Sequence, residues 1–153
     1  MMHQPIYLDY AATTPVHPEV LSAMLPYFTE VFGNAGSSAH LYGWRAAEAV
    51  EQSRVTLATY FQVKPSEVIF TSGATESINL AINGFLQGKP KGHLITSVLE
   101  HKAVLEVFNA LENEGWEVTY LLDASDLASS IRPDTVLVSL MLVNNELGTI
   151  LDH

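Results

Sequence analysis

The 153-residue sequence contains no cysteine. This absence excludes disulfide bonds, thiolate metal ligands and a cysteine nucleophile from these residues. Basic residues are also few, because seven Lys and Arg stand against 17 Asp and Glu, and the formal net charge is −10. A chain of this charge is poorly suited to bind nucleic acid.

Long apolar runs are absent as well. The first residues, Met-Met-His-Gln-Pro, lack the cationic start and apolar stretch of a signal peptide, and no window approaches the ~18 apolar residues of a membrane-spanning helix. An apolar fraction of 48% with 16% charged residues excludes a disordered chain. We therefore expect a folded, cytoplasmic protein that binds neither nucleic acid nor membrane.

The N-terminal third has helical periodicity. Apolar residues of 20–28 fall on one helical face, with Pro18 suited to a first helical position and Pro26 expected to interrupt the helix. A small polar loop at 33–38 precedes a long amphipathic helix from about 40 to 62. These residues predict a helical arm over 1–62.

From Ser66 onward, short β-rich runs alternate with helical segments. The predicted strands lie at 68–71, 93–96, 118–121 and 136–141, and the helices between them centre on Ile78–Phe85, Val104–Leu111 and Leu127–Ile131. Nearly continuous apolar strands separated by helices predict an α/β domain over 63–153, with a mostly parallel sheet covered by helices on both faces.

In such a sheet, ligands bind beyond the carboxyl ends of the strands. Ser72-Gly73-Ala74-Thr75-Glu76 follows the first predicted strand and opens a helix. Its backbone N–H groups, with the Ser72 and Thr75 hydroxyls, suit a phosphate. An ordinary strand-to-helix turn with a Ser or Thr cap is the alternative.

Two further segments end strands at the same edge. His101 starts the next helix, where it could stack on a flat ring or move a proton, or simply be an exposed helix-start residue. The block from Val143 to Thr149 contains Asn144 and Asn145, amides that suit a ligand heteroatom but also plain turns. Together they predict a site for a phosphorylated, planar ligand.

The remaining polar residues predict less. After the third strand, the segment Leu122-Asp123-Ala124-Ser125 predicts only a helix cap. His3, His17, His93 and His153 are expected to be surface or structural residues, and no residue spacing indicates a metal site.

Six blocks occur in the order and spacing of cysteine desulfurases, which the chain resembles from Ile6 to Asp152. They are Tyr7–Pro15, Phe32–Asn34, Ser37-Ser38 with His40, Phe70–Ser77, Glu100–Leu105 and Val143–Thr149. These enzymes belong to the class-V aminotransferase family and use pyridoxal 5'-phosphate. The resemblance implies a fold-type-I enzyme, of which this chain is the first part of the large domain.

The resemblance also implies roles for individual residues. Ala74 and Thr75 match the residues that hold the cofactor phosphate. His101 matches the histidine that stacks on the pyridine ring and takes part in proton transfers, and Asn145 matches the asparagine that bonds the ring hydroxyl. Asn34 matches a residue on the substrate side.

The family reaction converts L-cysteine to L-alanine, with the sulfur left on an enzyme cysteine as a persulfide. The resemblance implies a homodimer that passes this sulfur to a scaffold or carrier protein for iron–sulfur cluster assembly.

Some family features do not appear in these residues. The lysine that carries the cofactor, the aspartate that pairs with the ring nitrogen and the persulfide cysteine lie downstream of the Asn-Asn-Glu block in the family, and none of Lys64, Lys89, Lys91 and Lys102 matches the lysine motif. Ala35-Gly36 replaces a frequent proline, Leu142 stands where relatives often have histidine, and the loop after Leu122 is short.

We therefore expect an N-terminal portion of a cysteine desulfurase that is inactive alone. Two alternatives are another class-V enzyme, such as a selenocysteine lyase or an aminotransferase, and a non-catalytic remnant that dimerises.

Overall fold

The computed structural model describes residues 5–150. His3, His153 and Asp152 lie outside the described residues. The chain forms two compact units, one ending at Phe70 and one beginning at Thr71. The domain boundary after residue 62 stays a prediction.

The first unit is helical. Helix α1 spans Pro18–Met24, α2 spans Pro26–Thr29 and α3 spans Leu41–Phe61, followed by a 3-10 turn at Pro65–Glu67. Both short helices begin with proline, whose missing N–H costs nothing at a first helical position. The interruption at Pro26 and the long third helix confirm the sequence prediction.

The loop before α3 lies close to that helix. A Cβ atom on Gly43 would stand 1.8 Å from the carbonyl oxygen of Ser37, and one on Gly33 would stand 2.1 Å from that of Tyr42. Only glycine fits these positions. His40 caps α3, with its Nδ1 accepting from the Gly43 N–H at 3.2 Å.

The second unit contains the α/β layer. Its helices are α4 at Ala74–Leu86, α5 at Lys102–Asn113 and α6 at Leu127–Ser130, and a 3-10 turn lies at Ala124–Asp126. Its strands are β1 at His93–Ser97, β2 at Glu117–Leu121 and β3 at Thr135–Val138. The strands form a parallel sheet in the order β2-β1-β3, which confirms the predicted parallel arrangement.

The core lies between this sheet and two helices. Phe108 and Leu111 of α5 and Ile82 of α4 pack with Leu94 of β1, and Trp116 closes the cluster. Every residue of β1 is buried, as expected for the central strand of a parallel sheet. This packing fixes where the first turns of α4 and α5 stand.

One predicted strand is wrong. Val68 is extended, but residues 68–71 form no strand and pair with no strand among residues 5–150. Instead, Arg54 of α3 donates to the carbonyl oxygen of Val68, and its guanidinium lies 4.9 Å from the centre of the Phe70 ring. Apolar content predicts strand propensity, but a strand also requires a hydrogen-bonded neighbour. The fourth predicted strand is real but ends earlier, at Val138.

Candidate functional site

The start of α4 has free backbone donors. Its N-cap residue is Gly73, which has no side chain with which to cap the helix. In the described part of the chain, the N–H groups of Ala74, Thr75 and Glu76 have no hydrogen-bond acceptor. Such a helix start offers several N–H groups and a positive dipole end to an anion. The Ser or Thr cap that the alternative interpretation required is therefore absent from this described helix.

The two hydroxyls predicted for this site, those of Ser72 and Thr75, differ in hydrogen bonding. The Ser72 Oγ donates to the Glu76 carboxylate at 2.6 Å, and the Ser72 N–H donates to the same oxygen at 2.6 Å. These two bonds, the side-chain one first, lower the pKa of Glu76. In this structure the Ser72 hydroxyl donates to Glu76, and its suitability for a phosphate stays a prediction. Thr75 keeps an exposed side chain at the helix start.

His101 begins α5 and is exposed. Its Nδ1 accepts from the Ala103 N–H at 3.1 Å. Because Nδ1 accepts, the proton of the neutral ring is on Nε2. The ring therefore caps the helix with one nitrogen and keeps a donor on the other. Capping and ligand contact are compatible uses of this side chain.

Thr75 and His101 lie on one groove. The groove runs between α4 and α5 within the second unit, has a volume of about 1090 Å³ and is lined by both side chains. Lys102 and Glu106 of α5 also line it, with 4.0 Å between the lysine Nζ and the glutamate Oε1. The structure thus brings together two of the predicted site residues, and Ala74 is the neighbour of Thr75.

Asn145 lies in a tight loop after β3. Its side chain is exposed and has no hydrogen-bond partner among residues 5–150. The preceding residue, Asn144, is half-buried, and its Nδ2 donates to the carbonyl oxygen of Leu99 at 3.3 Å. Leu99 is two residues before His101. The loop of Asn145 is therefore joined to the segment that leads into His101.

Asn34 lies in the other unit. Its Oδ1 accepts from the Gly36 N–H at 2.8 Å, so the side chain holds its own turn. The side chain is exposed, and its substrate role stays a prediction.

Other predicted residues have structural roles. Asp123 caps the 3-10 turn as expected, with the Ser125 N–H at 2.9 Å, and this bond and that of the Ser125 hydroxyl lower its pKa. His93 is buried. Within residues 5–150, no group of three or more His, Asp or Glu side chains could hold a metal ion, and no helix there is long and apolar enough to cross a membrane.

Sequence reasoning missed the contact of Glu100, and it named Asn144 without deciding between a ligand contact and a turn. The Glu100 carboxylate accepts from the Met141 N–H, which adds a second bond between the two loops. An asparagine whose side-chain oxygen accepts from the N–H groups two and three residues later is typical of a side-chain-stabilised turn. The turn-forming tendency of asparagine was therefore the sequence signal for this role of Asn144.

The model of the aminotransferase class-V family matches residues 6–153. The chain belongs to the aminotransferase class-V family. Cysteine desulfurases of this family depend on pyridoxal phosphate. A 21% identical solved structure with a TM-score of 0.64, which shows likeness of fold alone, holds glycine covalently linked to that cofactor.

Relatives within the family are cysteine desulfurases. The chain is 52% identical over 158 residues to cysteine desulfurase IscS of Neisseria meningitidis serogroup C, covering 97% of this chain and 39% of the relative. It is 52% identical over 159 residues to the IscS of Anaeromyxobacter sp. strain K, covering 97% of this chain and 39% of that relative. The chain thus spans about two-fifths of the length of the curated relatives it matches.

Two solved structures give the same result. SspA in complex with cysteine matches with a TM-score of 0.84 and 44% identity, covering 95% of this chain and 44% of that chain. A NifS-like protein matches with a TM-score of 0.88 and 39% identity, covering 97% of this chain and 43% of that chain. The fold-type-I assignment and the family resemblance are therefore confirmed.

Proposed function

We propose that this chain provides the phosphate- and ring-binding part of a pyridoxal-phosphate-dependent cysteine desulfurase. The observation that carries the proposal is that Thr75 and His101 line one groove of the second unit. A helix start with free N–H groups beside an exposed flat ring matches the two ends of a phosphorylated pyridine.

The phosphate would be held at the start of α4. The free N–H groups of Ala74 and Thr75 would donate to its oxygens, and the Thr75 hydroxyl would add a third donor. The dipole of a 13-residue helix favours the negative charge at this end. The donor set therefore fits the phosphate without a cationic side chain.

The ring would be held by His101 and Asn145. The imidazole of His101 offers a flat face and an Nε2–H, and the Asn145 amide is free to bond the ring hydroxyl. When bound, the cofactor supplies an electron sink for the carbanion formed on an amino-acid substrate. His101 could then donate or accept a proton at Nε2 without leaving its position on α5.

We propose L-cysteine as the substrate of the whole enzyme. A structural neighbour is SspA in complex with cysteine, which supports this substrate class. Asn34 is the proposed residue on the substrate side. The 153 residues contain no cysteine, so the thiol that accepts sulfur as a persulfide is not among them. We therefore expect this chain alone to release no sulfide from L-cysteine.

The proposal extends to partners and location. A homodimer is supported by large apolar side chains that are exposed in both units, including Phe28 at 68% and Leu147 at 77%. Relatives that carry the IscS name support transfer of sulfur to a scaffold or carrier protein for iron–sulfur assembly. A cytoplasmic location is proposed with this function.

The test uses pyridoxine 5'-phosphate, which has the ring and phosphate but no aldehyde to react with surface lysines. Titration followed by calorimetry should show 1:1 binding to the chain. Thr75→Ala should weaken it about ten- to a hundred-fold, the effect of one lost hydrogen bond to a charged group. Thr56→Ala, which removes an exposed helix hydroxyl bonded to the Gln52 carbonyl, is the matched control. An unchanged affinity in Thr75→Ala would overturn the phosphate assignment.

A further inference from the structure

We infer that Asn144 is a positioning residue that fixes the loop of Asn145 for contact with the cofactor ring. The inference rests on the proposed function. The two adjacent asparagines differ in burial and in hydrogen bonding. Asn144 is half-buried and both atoms of its amide are bonded, whereas Asn145 is exposed and its amide has no hydrogen-bond partner among residues 5–150.

Asn144 organises its own loop. Its Oδ1 accepts from the Glu146 N–H at 3.0 Å and from the Leu147 N–H at 2.9 Å. Its backbone N–H donates to the Thr149 carbonyl oxygen at 2.9 Å, and its carbonyl oxygen accepts from the Gly148 N–H at 2.9 Å. Gly148 has a φ of 69°, a left-handed conformation that glycine adopts without strain. The turn that presents Asn145 is thus held from its N-terminal side.

Asn144 also ties this turn to the rest of the unit. Its Nδ2 donates to the Leu99 carbonyl oxygen at 3.3 Å, across 45 residues of sequence. The Glu100 carboxylate makes a second link, to the Met141 N–H. Both links end within two residues of His101, the N-cap of α5. They set the loop of Asn145 relative to the residue proposed to stack on the same ring.

In this arrangement, two identical side chains have different roles: Asn144 holds the turn and Asn145 contacts the ring. An amide that bonded the ring could not also hold the turn, because its oxygen and nitrogen would face the ligand. Asn144 therefore acts on ligand binding through the backbone that it orients, and Asn145 makes the contact. We expect the phosphate end, at α4, to bind independently of this loop.

The first test separates the ring from the phosphate. Asn144→Ala should weaken binding of pyridoxine 5'-phosphate about three- to ten-fold and leave the affinity for inorganic phosphate unchanged. A variant that merely misfolds would lose both. Asn113→Ala, which removes an exposed bond of 2.9 Å to the Asn109 carbonyl, is the matched control and should change neither affinity.

A second test asks whether Asn144 acts through Asn145. If it does, the double variant Asn144→Ala with Asn145→Ala should bind pyridoxine 5'-phosphate no more weakly than Asn145→Ala alone. Asn144→Asp keeps the side-chain oxygen that accepts from the turn but loses the N–H that donates to Leu99. The Glu146 and Leu147 amides should therefore stay protected from hydrogen exchange. The affinity for pyridoxine 5'-phosphate should still fall. Additive losses in the double variant would overturn the inference.

The outcomes also distinguish this inference from the proposed function. If the unaltered chain binds pyridoxine 5'-phosphate and Asn144→Ala binds it equally well, the inference is wrong and the proposed function stands. If the unaltered chain binds neither pyridoxine 5'-phosphate nor inorganic phosphate, the proposed function is wrong and the inference falls with it.

Discussion

At the residue scale, neighbouring side chains of like chemistry have different roles. Ser72 and Thr75 both carry hydroxyls at the start of α4, yet Ser72 bonds Glu76 and Thr75 remains exposed. The sequence indicates that hydroxyls are present there. It cannot indicate which one is already used, because that depends on the rotamer of Glu76 one helical turn away.

His93 is a buried histidine whose ring bonds side chains of the two neighbouring strands. Its Nδ1 lies 2.8 Å from the Thr135 hydroxyl of β3, and its Nε2 lies 2.8 Å from the Thr119 hydroxyl of β2. Burial lowers the pKa of His93, and Arg132 lowers it further, while Asp134 and Glu117 oppose the shift. The neutral ring thus joins all three strands at the edge opposite to the candidate site.

Stability should therefore depend on pH through His93. A folded-state pKa below the unfolded value of about 6.5 means that the unfolded chain binds the proton more tightly. The free energy of unfolding should fall as pH falls from 7 toward 5.5, by at most about 1.4 kcal/mol per pH unit from this group. Urea titrations at several pH values measure it.

The control for this prediction is the exposed His17. His93→Gln should flatten the pH dependence, because an amide can bond both threonines without titrating. His17→Gln should leave it unchanged. An equal slope in His93→Gln and the unaltered chain would contradict the assignment.

At the element scale, much of the fold could be predicted from the sequence. Helices α3, α4 and α5 follow from apolar spacing, and the break before α2 follows from Pro26, since these signals are local. The edge that carries the site follows from parallel topology, because strand ends carry the loops. The sequence therefore predicts His101 and Asn145 beside the sheet edge, whereas the prediction for Thr75 rested on the segment 68–71, which pairs with no strand among residues 5–150.

The element that could not be predicted is the segment 68–71. Its composition is that of a strand, but pairing depends on a partner distant in sequence. The same limit applies to the bonds of Asn144 and Glu100 to the other loop, which span 45 and 41 residues. Local pattern reveals candidates for a site, whereas long-range contacts decide which of them stay free.

At the scale of the whole molecule, the apolar surface is the main feature. Large apolar side chains are exposed in both units, and in the loop of Asn145 they include Leu142 at 68% and Ile150 at 71%. Exposed apolar area of this kind favours association with another protein surface.

We therefore expect the chain to self-associate. Light scattering should give a mass of at least twice 16.8 kDa at micromolar concentration. Added sodium chloride should not dissociate the assembly, because the contacts are apolar rather than ionic. A mass of 16.8 kDa at every concentration would contradict the homodimer proposal.

We propose that the second unit holds both ends of a phosphorylated pyridine. Two-dimensional NMR of the labelled chain during a titration with pyridoxine 5'-phosphate would detect this at the binding residues themselves. We expect saturable shifts at the Ala74 and Thr75 amides, the His101 ring and the Asn145 side-chain amide, with one shared dissociation constant. Shifts confined to other surfaces, or no shifts at these four residues at saturating ligand, would contradict it.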